Sequence, residues 1–173
     1  MSIFALRTAL AANATARQSG ANAARFADET RHRERLRELS TVARQLQAWW
    51  VRWEDGAEAK YGVLVTNAGE GATVFRDVRI ETLGNANVRG AKGHIAFTSL
   101  PPGAYVLTST PLGSEQPWSD PEVARRDIAY KPLMKAQKYA VTCIRFEDPT
   151  KLAWTWTPER GLESGSAVAA QVG

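Results

Sequence analysis

Cys143, His94 and His32 are the side chains among these 173 residues best suited to act near neutral pH as a thiol nucleophile or an imidazole base. Cys143 and His94 could form a nucleophile and base pair, since such partners need only meet in space. A working pair also needs a third group to orient the base, and no residue pattern supplies one. Cys143 lies in the most apolar stretch, Tyr139 to Phe146, where it reads as a small buried side chain. With a single cysteine there is no intramolecular disulfide, and two histidines in different halves of the chain make no zinc site. Asp77, Glu81, Glu147 and Asp148 are expected at turns or solvent-facing strand positions, without the cleft that paired acids require. No catalytic, metal-ligating or cofactor-binding residue is assigned, no cofactor is expected, and the chain reads as a non-enzyme.

Gly69-Glu70-Gly71 follows an apolar run, as the opening of a dinucleotide-binding turn does. The third glycine is missing where Val74 stands, and Val74-Phe75 leads into another strand-like run, not a helix that could hold a pyrophosphate. A hairpin turn is the expectation.

The elements that would position any site divide near Trp49-Trp50-Val51-Arg52-Trp53. Before that point the chain is rich in Ala and Arg and has no proline; after it come short alternating apolar runs punctuated by Gly, Pro and Asn. The expected fold class is therefore α+β: an N-terminal helical stem followed by a small antiparallel immunoglobulin-like β-sandwich. The boundaries are residues 1–53 for the Arg-rich stem, 54–162 for the sandwich head and 163–173 for a small, polar, flexible tail. The length fits one core with an appendage.

In the stem, Ser19-Gly20 is the expected break, since Gly costs about 1 kcal/mol against Ala inside a helix. A second helix is then predicted from Asn22 to Trp50. Leu36, Leu39, Ala43, Leu46 and Trp50 follow 3-4-3-4 spacing, which stacks them on one helical face for only two heptads. Leu36, Leu39, Leu46, Trp49, Trp50 and Trp53 are the candidate interface, with Trp49 and Trp53 on one helical face and Trp50 continuing the seam.

The net charge of +4 is unevenly placed. Residues 1–53 hold nine Arg against four acids, and the remainder is nearly balanced. Arg31, Arg33, Arg35 and Arg37 are the candidate anion contacts, although Glu34 and Glu38 stand at helical pairing distance from them. Nonspecific nucleic-acid binding is a minor alternative, because no RNA- or DNA-reading motif accompanies the charge. Ile3-Phe4-Ala5-Leu6 before Ala12-Asn13-Ala14 is faintly like a signal peptide, yet no positive charge precedes it and Arg7 interrupts it. No run approaches the roughly 20 apolar residues of a membrane span.

In the head, strands are predicted at Tyr61–Thr66, Val78–Thr82, His94–Phe97, Tyr105–Thr108, Tyr139–Phe146 and Leu152–Trp156. Leu100-Pro101-Pro102-Gly103 redirects the chain, and Tyr139–Phe146, apolar on both alternations, is expected to be central and the most buried.

The runs Val63-Leu64-Val65-Thr66-Asn67-Ala68-Gly69, Val78-Arg79-Ile80, Leu100-Pro101-Pro102-Gly103-Ala104-Tyr105 and Ile144-Arg145-Phe146-Glu147-Asp148, with Trp154 and Trp156, resemble immunoglobulin-like domains that follow a helical segment in actinobacterial or phage-encoded proteins. The resemblance covers roughly residues 50 to 162. It implies a binding or spacer module without catalytic residues, with other proteins or further copies of itself as partners. The function expected is that of a structural protein docking through its stem in a larger assembly, concretely a phage capsid or tail accessory component in the producing cell's cytoplasm or the virion. The alternative is an intracellular bacterial module that recognises a peptide or protein.

Overall fold

The structure, a computed structural model, describes residues 3–84, 92–110, 117–134 and 138–165, with helical side chains described from residue 22 onward and at 18 and 20. Its described elements are one helix and two antiparallel sheets of five strands each. The chain divides into two compact units, residues 1–41 and 42–173.

Helix α1 runs unbroken from Ile3 to Ala43, 41 residues and about 60 Å at 1.5 Å per residue. The break expected at Ser19-Gly20 is absent: Gly20 lies inside the helix with open space around it, and the surrounding Ala and Arg carry the helix through. The helix also ends earlier than expected. The Gln45 N–H donates to the Val42 carbonyl at 3.0 Å, and the chain enters β1 (Leu46–Asp55) at once. Trp and Val over residues 49–53 favour a pleated strand over a helix. Leu46, Trp49, Trp50 and Trp53 therefore belong to the sandwich, and the boundary falls between Thr41 and Val42, not after Trp53.

The other strands are β2 (Glu58–Asn67), β3 (Phe75–Leu83), β4 (Lys92–Leu100), β5 (Gly103–Thr108), β6 (Glu122–Val123), β7 (Lys131–Pro132), β8 (Ala140–Glu147), β9 (Ala153–Thr157) and β10 (Gly161–Ser164). The first sheet has the order β6-β5-β2-β1-β7 and the second β10-β9-β8-β3-β4. Glu163 and Ser164 thus pair in β10, opposite Thr155 and Trp154, and are not tail. Residues 166–173, the rest of the expected tail, lie outside the described residues.

The sheets pack face to face in a sandwich-like arrangement. Val63 and Val65 of β2 and Phe75, Val78 and Ile80 of β3 are almost fully buried, and Phe75 meets Phe146 edge-on at 5.2 Å. β8 holds the centre of its sheet, as expected, but β2 buries the longer run, with Val63, Leu64 and Val65 all covered. Asn67-Ala68-Gly69-Glu70-Gly71 is not a hairpin turn, because it carries the chain from β2 in one sheet to β3 in the other. Asn67, 2% exposed, pins this crossing by donating to the Thr73 and Leu100 carbonyls at 2.7 and 2.9 Å and accepting from the Gly69 N–H.

Asp148 falls at the turn between β8 and β9, as expected, and is buried there, 1% exposed. One carboxylate oxygen accepts from the Thr150 N–H, the Thr150 hydroxyl and the Leu152 N–H, and the other accepts from Trp154 Nε1 at 2.9 Å. Four donors offset the cost of burying that polar group and fix the β8–β9 turn.

Candidate interaction surfaces

β1 distributes the tryptophans. Successive strand residues point to opposite faces, so Trp50 enters the space between the sheets while Trp49, Val51 and Trp53 point to the other face. Trp50, 2% exposed, packs on Trp118 and Tyr139 with ring centres 5.3 and 5.1 Å away. On the opposite face Val51, Trp53, Leu64 and Val106 form a second apolar cluster. The segment from β6 to β7 roofs that cluster, placing Ala124, Ile128 and Tyr130 against it, with Trp53 and Tyr130 ring centres 5.5 Å apart. The roof is tied at both ends: the Ala124 N–H donates to the Ala104 carbonyl, and the Leu133 N–H donates to the Trp50 carbonyl. The candidate interface tryptophans, expected on two faces of a helix, stand on two faces of a strand, and Trp50 and Trp53 are buried in separate cores.

Trp49 is only half-buried, and it borders a groove of about 370 Å³ lined by Leu46, Ile144, Phe146, Trp156 and Leu162. Here the sequence places Leu46, Ala48 and Trp50 on one face of β1, and β7 pairs with β1 only at Val51 and Arg52. The groove lies beside that uncovered stretch of β1. Its one charged lining residue is Arg44.

On the helix, Leu36 and Leu39 are half-buried, and every side chain from Asn22 to Arg35 is exposed, Phe26 at 69%. Arg31 pairs with Asp28 at 3.1 Å and Arg33 with Glu29 at 3.5 Å. These partners lie N-terminal to the arginines, not at Glu34 and Glu38 as expected. All four arginines are exposed, Arg37 beyond half-buried Leu36 included.

His94, Glu81 and Cys143 share one cross-strand row on β4, β3 and β8. Glu81 stands between the other two, so the imidazole and the thiol are two strand spacings apart, about 10 Å, beyond direct proton transfer. Glu81 is itself engaged by Arg145 at 2.9 Å. Burial pushes the Cys143 thiol above its ordinary range, and the neighbouring Glu81 carboxylate adds to that against the opposing pull of Arg145. A raised thiol is a poor nucleophile near neutrality. Among the described residues no group of three or more His, Cys, Asp or Glu is placed to hold a metal ion. No described helix is long and apolar enough to cross a membrane.

The roof over Trp53 and the groove beside Trp49 were missed in the sequence. Their signal was the run Trp49-Trp50-Val51-Arg52-Trp53 itself, with Trp49, Val51 and Trp53 on one alternation and Trp50 on the other, which is the pattern of a strand with apolar cover on both faces. No family model, curated protein or solved structure matches the chain.

Proposed function

We propose that this protein is a non-enzymatic structural and interaction protein: α1 is an arm that docks into a larger assembly, and the sandwich is an immunoglobulin-like bridging module. The observation that carries this reading is the exposure of every side chain from Asn22 to Arg35 in a helix of 41 residues. A helix usually draws most of its stability from packing an apolar face, and one that is polar all round is suited to spanning solvent or meeting a partner. Phe26 offers an apolar anchor, and Arg25, Arg31, Arg33 and Arg35 offer charge complementary to an acidic protein face. A phage capsid or tail is a setting where such an arm and module fit.

The immunoglobulin-like reading is supported by strand order. One sheet contains β1-β2-β5 and the other β4-β3-β8-β9, which follows the A-B-E and C′-C-F-G order of that fold. The three short strands β6, β7 and β10 are additions to this order, and the Cys-Trp-Cys signature is replaced by a single cysteine.

The test is recovery of the full chain from its source in nuclease-treated extract, by sedimentation with any large particle. Stoichiometric recovery in the particle, lost when Phe26→Ala is combined with Arg25→Glu, Arg31→Glu and Arg35→Glu, is the expected result. Recovery only as free protein, retention of the combined variant, or release by nuclease alone would overturn it, the last in favour of nucleic acid. The groove beside Trp49 favours a second reading, capture of an extended apolar peptide along β1. Loss of peptide binding in Trp156→Ala with an unchanged helix is its signature.

A further inference from the structure

Of the strands that end the two sheets, β6 and β7 have two residues each and β10 four, but β4 has nine. β4 pairs with β3 in one uniform register from Lys92 to Leu100, and no described strand lies along its other side. Natural proteins protect an edge of this length with proline, bulges or mid-strand charge. Lys-Gly-His-Ile-Ala-Phe-Thr-Ser-Leu has none of these beyond its first residue.

We propose that β4 pairs antiparallel with β4 of a second copy of this chain, about a two-fold axis through Ala96. Of the antiparallel registers this one matches the whole strand to itself, placing Lys92 opposite Leu100, His94 opposite Thr98 and Ile95 opposite Phe97. A two-fold contact must be self-complementary, and this one is. The two Lys92 charges lie at opposite ends, so no like charges face each other, which would destabilise the pair. Ile95, buried, and Phe97, half-buried at the open edge, both lie on the face that packs between the sheets, since Ile80 and Val78 are their partners on β3. Pairing sets Ile95 of each copy beside Phe97 of the other and continues the apolar layer across the junction. The exposed face is uncharged at the axis, where Ala96 meets Ala96. The occupant is therefore the same strand, and the product is one sheet of ten strands.

The test is the mass of the full chain by light scattering over a concentration series. Wild type is expected at twice the 18.9 kDa of one chain. Ala96→Lys is expected to halve that mass, because the two introduced ammonium groups meet at the axis with Arg79 beside each, opposite Ala96 on β3. A tagged Ala96→Glu chain is expected to capture untagged Ala96→Lys one to one, which also shows that the lysine variant is folded. A wild-type mass of one chain at all concentrations, an unchanged mass for Ala96→Lys, or no capture would each overturn the proposal. The helix substitutions described above leave this twofold step in place, so the two proposals fail separately.

Discussion

Along α1 every side chain from Asn22 to Arg35 is exposed, whereas β2 alone buries Val63, Leu64 and Val65 on both faces of its sheet. The helix is held by bonds between residues four apart, and a side chain there touches little that lies far away in sequence. The sandwich is held by contacts such as Trp50 with Trp118 and Tyr139, which join distant parts of the chain. One consequence is that substitutions should have large effects in one unit and small ones in the other. All six tryptophans lie at or after Trp49, so fluorescence reports the sandwich, while circular dichroism at 222 nm reports mainly the helix.

The largest effect belongs to Trp50→Ala, which removes a ring from between the sheets and should destabilise the sandwich by about 3–5 kcal/mol. Trp53→Ala opens only the roofed cluster and should cost less. Equal costs in denaturant unfolding followed by tryptophan fluorescence would dissolve the distinction between the two cores. Next comes Asp148→Ala, which strands the Trp154 indole N–H and the Leu152 N–H, at about 1–3 kcal/mol for each buried group left unsatisfied. Asp148→Asn keeps an acceptor oxygen and should recover part of that loss in the same measurement.

The two units also differed in how far their sequences could be read. Six strands are legible from their alternation, and most of the helix from its Ala and Arg content and lack of proline, although its passage through Ser19-Gly20 is not. The junction misled because residues four apart share a face both in a helix and in a strand. Leu46 and Trp50, and likewise Trp49 and Trp53, satisfy either period, and no Gly or Pro marks the two residues between α1 and β1. β6, β7 and β10 were illegible for another reason: strands of two to four residues are too short to show alternation and exist through their partners. Of the candidate residues, Arg31, Arg33, Arg35 and Arg37 are exposed on the helix, and Arg31 and Arg33 pair with Asp28 and Glu29. The groove is lined by β1 from one sheet and by β8, β9 and β10 from the other, which no local pattern encodes.

A substitution confined to α1 sharpens the contrast. Gly20→Ala places a methyl group in open space and should stabilise the helix by about 1 kcal/mol. The 222 nm signal should then persist to higher temperature while the fluorescence midpoint stays within error of wild type. A fluorescence midpoint that rose with it would show that the two units unfold together.

The smallest effect is electrostatic and compares one ion pair from each unit. On the helix, Arg33 and Glu29 are 3.5 Å apart with side chains 73% and 60% exposed; across the β1–β2 hairpin, Lys60 and Asp55 are 2.6 Å apart and 37% and 40% exposed. The hydrogen bond and charge of Lys60 hold the Asp55 carboxyl below its ordinary range, and Asp55 raises the Lys60 ammonium in return. A carboxyl lowered by folding contributes stability that is fully present above the unfolded carboxylate range and is lost as the pH falls through the lowered folded value. A raised ammonium contributes below its unfolded range and loses that contribution as the pH rises through the raised value. The pair's contribution is therefore flat across neutrality and declines at both extremes. Replacing Asp55 by Asn should cost a small, constant amount of sandwich stability near neutral pH, and that difference should shrink toward zero as acid protonates Asp55 in the parent. The measurement is denaturant unfolding by fluorescence at a series of pH values in low salt, since exposed pairs are screened by added ions. A difference between Asp55→Asn and wild type that persisted undiminished in acid would show that the hairpin uses Asp55 for its shape and not for its charge.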